Sequence, residues 1–340
     1  NKIKTTDTGV GVAAIGSGSK IDLTKGEVNY AGSGYALYTQ GTSDIILYDG
    51  TLTLGGNAVG YIKEAGSNGV HLNANSQIDV QSDGVILMDL RVPGPLNSTN
   101  LDNQFTGGSG YLAGAKITTG SNKYKYKYAV IDGIQFNIDS DIDKGDSSST
   151  SDGYVFTRRL LLQNAEINVG AGKNVTANLN TADLTSIGGA NIPVGIAVAA
   201  SSKSSTSNKT AINNDGNVTV NRTDSGNGGV GLYVNYGKIN NNASGKVEVE
   251  ATKNNPHAVG IYGTNSTPIV NAGEVTVGGE KSFGILGLSY RIDSKTGLAI
   301  NPADETYYSN VITNNGTKFG TVNVENGATG KITMDNDGAV

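Results

Sequence analysis

Short alternating strands that open on a glycine recur along this chain, and that repeat leaves few folds open to it. The copies read Gly26-Glu-Val28-Asn-Tyr30, Gly50-Thr-Leu52-Thr-Leu54, Gly216-Asn-Val218-Thr-Val220, Gly245-Lys-Val247-Glu-Val249, Gly273-Glu-Val275-Thr-Val277, Gly320-Thr-Val322-Asn-Val324 and Gly330-Lys-Ile332-Thr-Met334. The first apolar position returns after 24 residues between Val28 and Leu52, after 29 between Val218 and Val247, and after 28 between Val247 and Val275. An Asn-rich step often comes just before, as in Ile212-Asn213-Asn214, Ile239-Asn240-Asn241 and Ile269-Val270-Asn271. A small apolar step forms a second series: Val194-Gly195-Ile196, Val230-Gly231-Leu232, Val259-Gly260-Ile261 and Phe283-Gly284-Ile285, with looser copies at Val10-Gly11-Val12 and Val59-Gly60-Tyr61.

Alternation sends Val and Ile to one face of a strand and Thr, Asn, Glu and Lys to the other. No stretch sustains the three- and four-residue apolar spacing that a helix needs. A repeat with two or three short strands and a corner at each Gly or Asn step fits one coil of a solenoid, with like strands stacked in parallel. The expected fold is therefore all-β, a right-handed parallel β-helix with loop insertions, its branched aliphatics lined up coil over coil. An antiparallel sandwich of short strands is the alternative, but its strands would not carry one signature at so regular a spacing.

Composition agrees. Hydrophobic residues make up 36% of the 340, with 49 Gly, no Trp and no Cys. Without Cys there are no disulfides and no thiolate metal sites. The balance of 25 basic to 30 acidic side chains, a formal net charge of −5, argues against a nucleic-acid partner. No apolar run reaches the length of about 18 residues that a membrane helix requires. The chain starts and stops in mid-pattern, as an excised fragment would. It is expected to form one domain over 1–340, with insertions near 91–128, 139–153, 201–209 and 289–310 where the repeat breaks. Insertions of this kind leave a solenoid on one side and often carry its binding residues.

Several residues are candidates for chemistry. Lys123, Tyr124, Lys125, Tyr126, Lys127 and Tyr128 alternate, so a strand would place Lys on one face and Tyr on the other. That suits a binding face for sugars, proteins or anionic groups, and it suits equally a strand with packed Tyr and solvated Lys. Asp139, Asp141 and Asp143 resemble the start of a calcium loop, but Lys144 and Thr150 stand where an EF-hand has its Gly and its bidentate Glu. A solvated loop explains them as well, and no metal or other cofactor is expected. His71 and His257, the only histidines, adjoin no nucleophile elbow or zinc motif. Glycoside hydrolysis needs two acids about 5–9.5 Å apart. Asp79, Asp83 and Asp89 lie near one another in sequence, as do Asp132 and Asp139, but without the Trp that often stacks on sugars. Sequons at Asn97, Asn174, Asn208, Asn217, Asn221 and Asn265 are chance products of an Asn- and Thr-rich chain.

The V-G-I/L step followed by I-x-N-x-G-x-V-x-V resembles the passenger regions of bacterial type V autotransporters. It is most similar to those of the large, RadD-like fusobacterial outer-membrane adhesins, whose phrases resemble AVGIYGTN and NAGEVTVGGEKSFGIL within residues 258–286. The resemblance is clear over 194–340, fair over 10–90 and weak over 91–190. It implies a monomeric β-helical stalk on the outer face of the bacterial cell, carried there by a C-terminal barrel that this sequence does not include. It also implies an adhesin that binds a host-cell or bacterial surface protein or glycan. The shared motif is structural, so it transfers no functional residue. A polysaccharide lyase or glycoside hydrolase and a purely structural stalk are the alternatives.

Overall fold

The computed structural model describes residues 2–6, 8–64, 69–91, 95–99, 104–105, 107–122, 124, 126–133, 135–144, 160–179, 185–187, 190–192, 196–201, 210–222, 229–250, 258–264, 268–279, 282–288 and 324–334. The chain divides into two compact units. The first is Asn1–Pro95, Asn100–Ile134 and Arg158–Leu161, and the second is Leu96–Thr99, Gln135–Thr157 and Leu162–Val340. Each is a parallel β-helix, as the repeat predicts.

In the first unit one sheet stacks Lys2–Thr5, Glu27–Tyr30, Thr51–Leu54, Gln77–Val80 and Lys116–Thr118, each parallel to the last. A sheet of longer strands stacks Val10–Ala14, Tyr35–Thr39, Val59–Glu64, Ile86–Arg91 and Lys127–Asp132. A third stacks Lys20–Asp22, Asp44–Ile46 and Gly69–His71. Register follows the alternation. Val28, Leu52 and Ile78 form one fully buried column, while Asn29, Thr53 and Asp79 form the outward column beside it. Within the stretch 91–128, Lys116–Thr118 is a regular rung of the coil. Phe105 and Leu112 of the same stretch are fully buried, and the Tyr61 hydroxyl donates to the Tyr111 carbonyl at 2.7 Å. This insertion therefore packs against the long-strand sheet.

In the second unit the Asn-rich steps stack as Leu96–Asn97, Gln135–Ile138, Glu166–Val169, Ala211–Asn214, Lys238–Asn241, Ile269–Asn271 and Val324–Asn326. The Gly-led strands stack as Ile142–Lys144, Asn174–Leu179, Asn217–Arg222, Lys246–Val249, Glu274–Val277 and Lys331–Met334. The V-G-I/L steps stack as Ile196–Ser201, Val230–Asn235, Val259–Thr264 and Phe283–Leu288. Val175, Val218, Val247, Val275 and Ile332 lie in one column, and the four valines are at most 2% exposed. A short antiparallel pair, Thr185–Ile187 with Ala190–Ile192, stands outside this pattern.

The coil explains both sequence signatures. A Cβ on Gly231 would lie 2.4 Å from Val247 Cγ1, one on Gly260 the same distance from Val275 Cγ1, and one on Gly284 as close to Ile332 Cγ2. The central Gly of these three V-G-I/L steps thus faces the valine column across a thin core and leaves it just enough room. Gly260→Ala is expected to overpack this contact and destabilise the second unit by about 1–3 kcal/mol, read as a lower urea midpoint; an unchanged midpoint would contradict the packing. Among the described residues of the second unit, the Gly that opens each valine strand is held in a different way. A Cβ on Gly273 would lie 2.1 Å from the Gly245 carbonyl oxygen of the coil before.

The Asn steps form two amide ladders. In the buried one, Asn214 Nδ2 donates to Asn241 Oδ1 at 2.8 Å, Asn241 to Asn271 at 2.7 Å and Asn271 to Asn326 at 2.7 Å. In the half-exposed one beside it the donation runs the other way along the stack, from Asn240 to Asn213, Asn168, Asn137 and Asn97 at 2.8–3.2 Å. Each internal amide of a ladder both gives and takes a bond, which is how a polar group is accommodated in a core. The long strands do not alternate. All six residues of Val230–Asn235 and of Val259–Thr264 are buried, and Phe283 and Leu286 pack on a cluster of Val230, Tyr233, Val259 and Tyr262. Among the described residues no helix is long and apolar enough to cross a membrane.

Candidate functional site

A polar cluster interrupts the long-strand sheet of the first unit. Ile86–Arg91 reads Ile-Leu-Met-Asp-Leu-Arg, and its four central residues are buried, Asp89 among them. Parallel stacking brings this carboxylate to a residue 54 positions away in sequence. The Tyr35 hydroxyl donates to Asp89 Oδ2 at 2.5 Å. Arg91 donates to the same carboxylate through Nη2 at 2.8 Å and Nε at 3.3 Å, and its Nη2 also reaches the Tyr35 oxygen at 3.2 Å. Glu64, in register with Arg91 on the preceding rung, lies 3.7 Å from Nη1.

A carboxylate with its side chain only 10% exposed needs a cation and further donors to offset its desolvation, and it has both here. The outer parts of the cluster remain accessible. The Arg91 side chain is 46% exposed, and the half-exposed Tyr35 and Tyr38 rings lie 5.9 Å apart at 56°. The result is a guanidinium fixed by internal partners beside two adjacent phenol rings. Such a patch loses little side-chain freedom when it binds something.

Electrostatics set the protonation of this cluster. The Tyr35 hydroxyl is pushed up to about 12, first by burial and then by the hydrogen bond and charge of Asp89, while Arg91 pulls it down. Arg91 is held above its ordinary value, chiefly by its hydrogen bond to Asp89. Burial also raises Tyr236 to about 12. A phenol whose folded value is raised contributes stability that is intact below its unfolded value near 10 and is lost as pH climbs through the folded value. Stability is therefore expected to fall between pH 10 and about 12. Urea unfolding at stepped alkaline pH checks this, and a flat profile through that window would contradict it.

The residues singled out from sequence are dispersed. In the Tyr-Lys run, Lys123 and Lys125 lie outside the described residues, and the strand begins only at Lys127, paired with Ile86. Tyr124 accepts a bond from Asn122 Nδ2 at 2.8 Å. Tyr126 is 5% exposed and meets Tyr128 edge-on at 5.6 Å, and Tyr128 packs 6.1 Å from Phe105. These two rings belong to the packing beneath the 104–112 segment.

Asp139 and Asp141 serve opposite neighbours. Burial would raise Asp139, but the Thr99 amide and hydroxyl and the Ser98 hydroxyl, at 2.9–3.0 Å, outweigh it and hold the carboxyl below its usual range. Asp141 accepts from the Asn174 amide at 2.9 Å on the other side, which lowers it too. Asp143 lies in Ile142–Lys144, in register with Thr176. No three acidic or histidine side chains group to hold a metal among the described residues.

Asp79 takes bonds from Gln77 Nε2 at 2.6 Å and Thr118 Oγ1 at 2.5 Å, on a different sheet from Asp89. His71 Nε2 lies 2.6 Å from Asp44 Oδ1 on the neighbouring rung, and His257 falls outside the described residues. The Tyr35–Asp89–Arg91 cluster escaped the sequence reading. The signal for it is the Asp inside the apolar run of Ile86–Arg91, since a charge buried in a strand requires partners. No protein-family model, no curated protein and no solved structure matches the chain.

Proposed function

We propose that this protein is an adhesive scaffold displayed on a bacterial cell surface. In this reading each β-helix presents rigid faces, and the Tyr35–Tyr38–Arg91 patch docks a protein on another cell. The observation that carries it is that patch: half-exposed Tyr and exposed Arg, residue types that dominate binding hot spots, with Tyr35 and Arg91 held in place by the buried Asp89. The resemblance of the repeat phrases to autotransporter passengers supports the same role and the outer face of the cell.

Tyr38 has no hydrogen bond among the described residues, so removing its ring tests binding with little effect on the fold. Tyr38→Ala is expected to cut adherence of protein-coated beads to bacterial or epithelial cells at least tenfold while leaving the melting curve in place. Unchanged adherence would remove the patch from the account. The competing reading is an enzyme that cleaves polysaccharide. Turnover on a polysaccharide panel, abolished by Asp89→Asn, would favour it over adhesion.

A further inference from the structure

We infer that the first unit carries a second binding site, a trough on its short-strand sheet that takes a neutral oligosaccharide lying along the stacking direction. The trough encloses about 520 Å³ and is lined by outward residues of Lys2–Thr5, Glu27–Tyr30, Thr51–Leu54 and Gln77–Val80 with the residues that follow each strand. That volume lies within the range of about 300–1,000 Å³ typical of ligand pockets.

Its central column runs Lys4, Asn29, Thr53, Asp79, one residue per coil at a spacing of about 4.8 Å. Ala31 and Gly55 sit beside that column. A Cβ on Gly55 would come within 3.4 Å of the Ala31 Cβ, so small residues keep this part of the trough open.

The chemistry of the lining selects the ligand class. Asn29, Thr51 and Thr53 are half-buried, and their side chains make no hydrogen bond with any described residue. Each offers both a donor and an acceptor, which complements a sugar hydroxyl. The charges of the trough are largely spent. Lys2 pairs with Glu27 at 2.9 Å, and Asp79 is occupied by Gln77 and Thr118. An acidic polymer would therefore meet little free positive charge apart from Lys4. An extended peptide would need free backbone groups to add as a strand, whereas here Thr51 and Gln77 donate their amides to Gly26 and Gly50 of the preceding coils. What remains are the neutral side chains of Asn29, Thr51 and Thr53 on two successive coils, open to a hydroxyl-rich chain. This site is on a different sheet from the Tyr35 patch, so it stands or falls apart from the adhesion reading.

The test is calorimetric titration of the full chain with cellohexaose, chitohexaose and a galacturonate hexamer. At least one neutral hexamer is expected to bind. Asn29→Ala with Thr53→Ala should weaken that binding at least tenfold at an unchanged melting temperature, and Thr219→Ala, an outward threonine of the second unit, should leave it intact. Three results would overturn the site: no binding of either neutral hexamer, binding of the galacturonate hexamer alone, or full affinity in the double variant. Loss of bead adherence in Tyr38→Ala with sugar binding retained would separate the two sites.

Discussion

Val275→Asp is expected to abolish cooperative unfolding of the second unit. Val275 is 1% exposed, stacked between Val247 and Ile332, and it faces Gly260 across the core. No cation lies in that column to meet a carboxylate. The charge must either remain buried and unpaired or take up a proton, and a buried uncompensated charge belongs to the small class of substitutions that cost more than about 4 kcal/mol. Each coil is held mainly by its neighbours, so the damage should spread to the strands on both sides. Thermal melting followed by circular dichroism checks it. A transition of ordinary height and midpoint would mean that this column is not core.

Asn241→Leu should cost about 2–5 kcal/mol. The substitution nearly conserves side-chain volume, so the effect isolates the amide. Asn214 Nδ2 would lose its acceptor at 2.8 Å and Asn271 Oδ1 its donor at 2.7 Å, with all three side chains at most 1% exposed. Asn214 keeps a weaker bond to the Lys246 carbonyl at 3.4 Å, while Asn271 Oδ1 has no such substitute in the ladder. Asn240→Ala is the matched control. It truncates the last amide of the half-exposed ladder and removes one bond that water can replace, so its effect should stay below about 1 kcal/mol. Equal urea midpoints for the two variants would contradict the ladder's role.

The repeat was legible because each of its residues answers to its own coil. Gly260 and Gly273 are required by near contacts that recur once per turn, and Val275 and Asn271 are copied from coil to coil by the register. Spacing alone therefore disclosed the stack, the valine column and the paired Asn steps. Sites that depend on which coils meet were not legible in the same way. Tyr35, Glu64, Asp89 and Arg91 come together through stacking across more than one coil, and nothing local to Tyr35 announces a carboxylate from residue 89. The trough is similar, since Asn29 and Thr53 are ordinary outward residues until their column is assembled. The Tyr-Lys run shows the opposite case. Its alternation was conspicuous, yet Tyr128 lies against Phe105, and Tyr126 against Tyr128, because an insertion folds over that end of the sheet. The unbroken burial of Val230–Asn235 escaped for a related reason: a strand covered on both sides need not alternate.

The central claim is that successive turns stack in parallel and in register. The chain has no cysteine, so spin labels can be placed at will. Thr176, Thr219, Glu248, Thr276 and Thr333 occupy one outward column of the second unit. Labels at Thr176→Cys and Thr333→Cys are therefore separated by four rungs, and pulsed electron–electron double resonance should give a narrow distribution centred at about 19 Å. A broad distribution, or a centre beyond about 30 Å, would contradict the stacked coil.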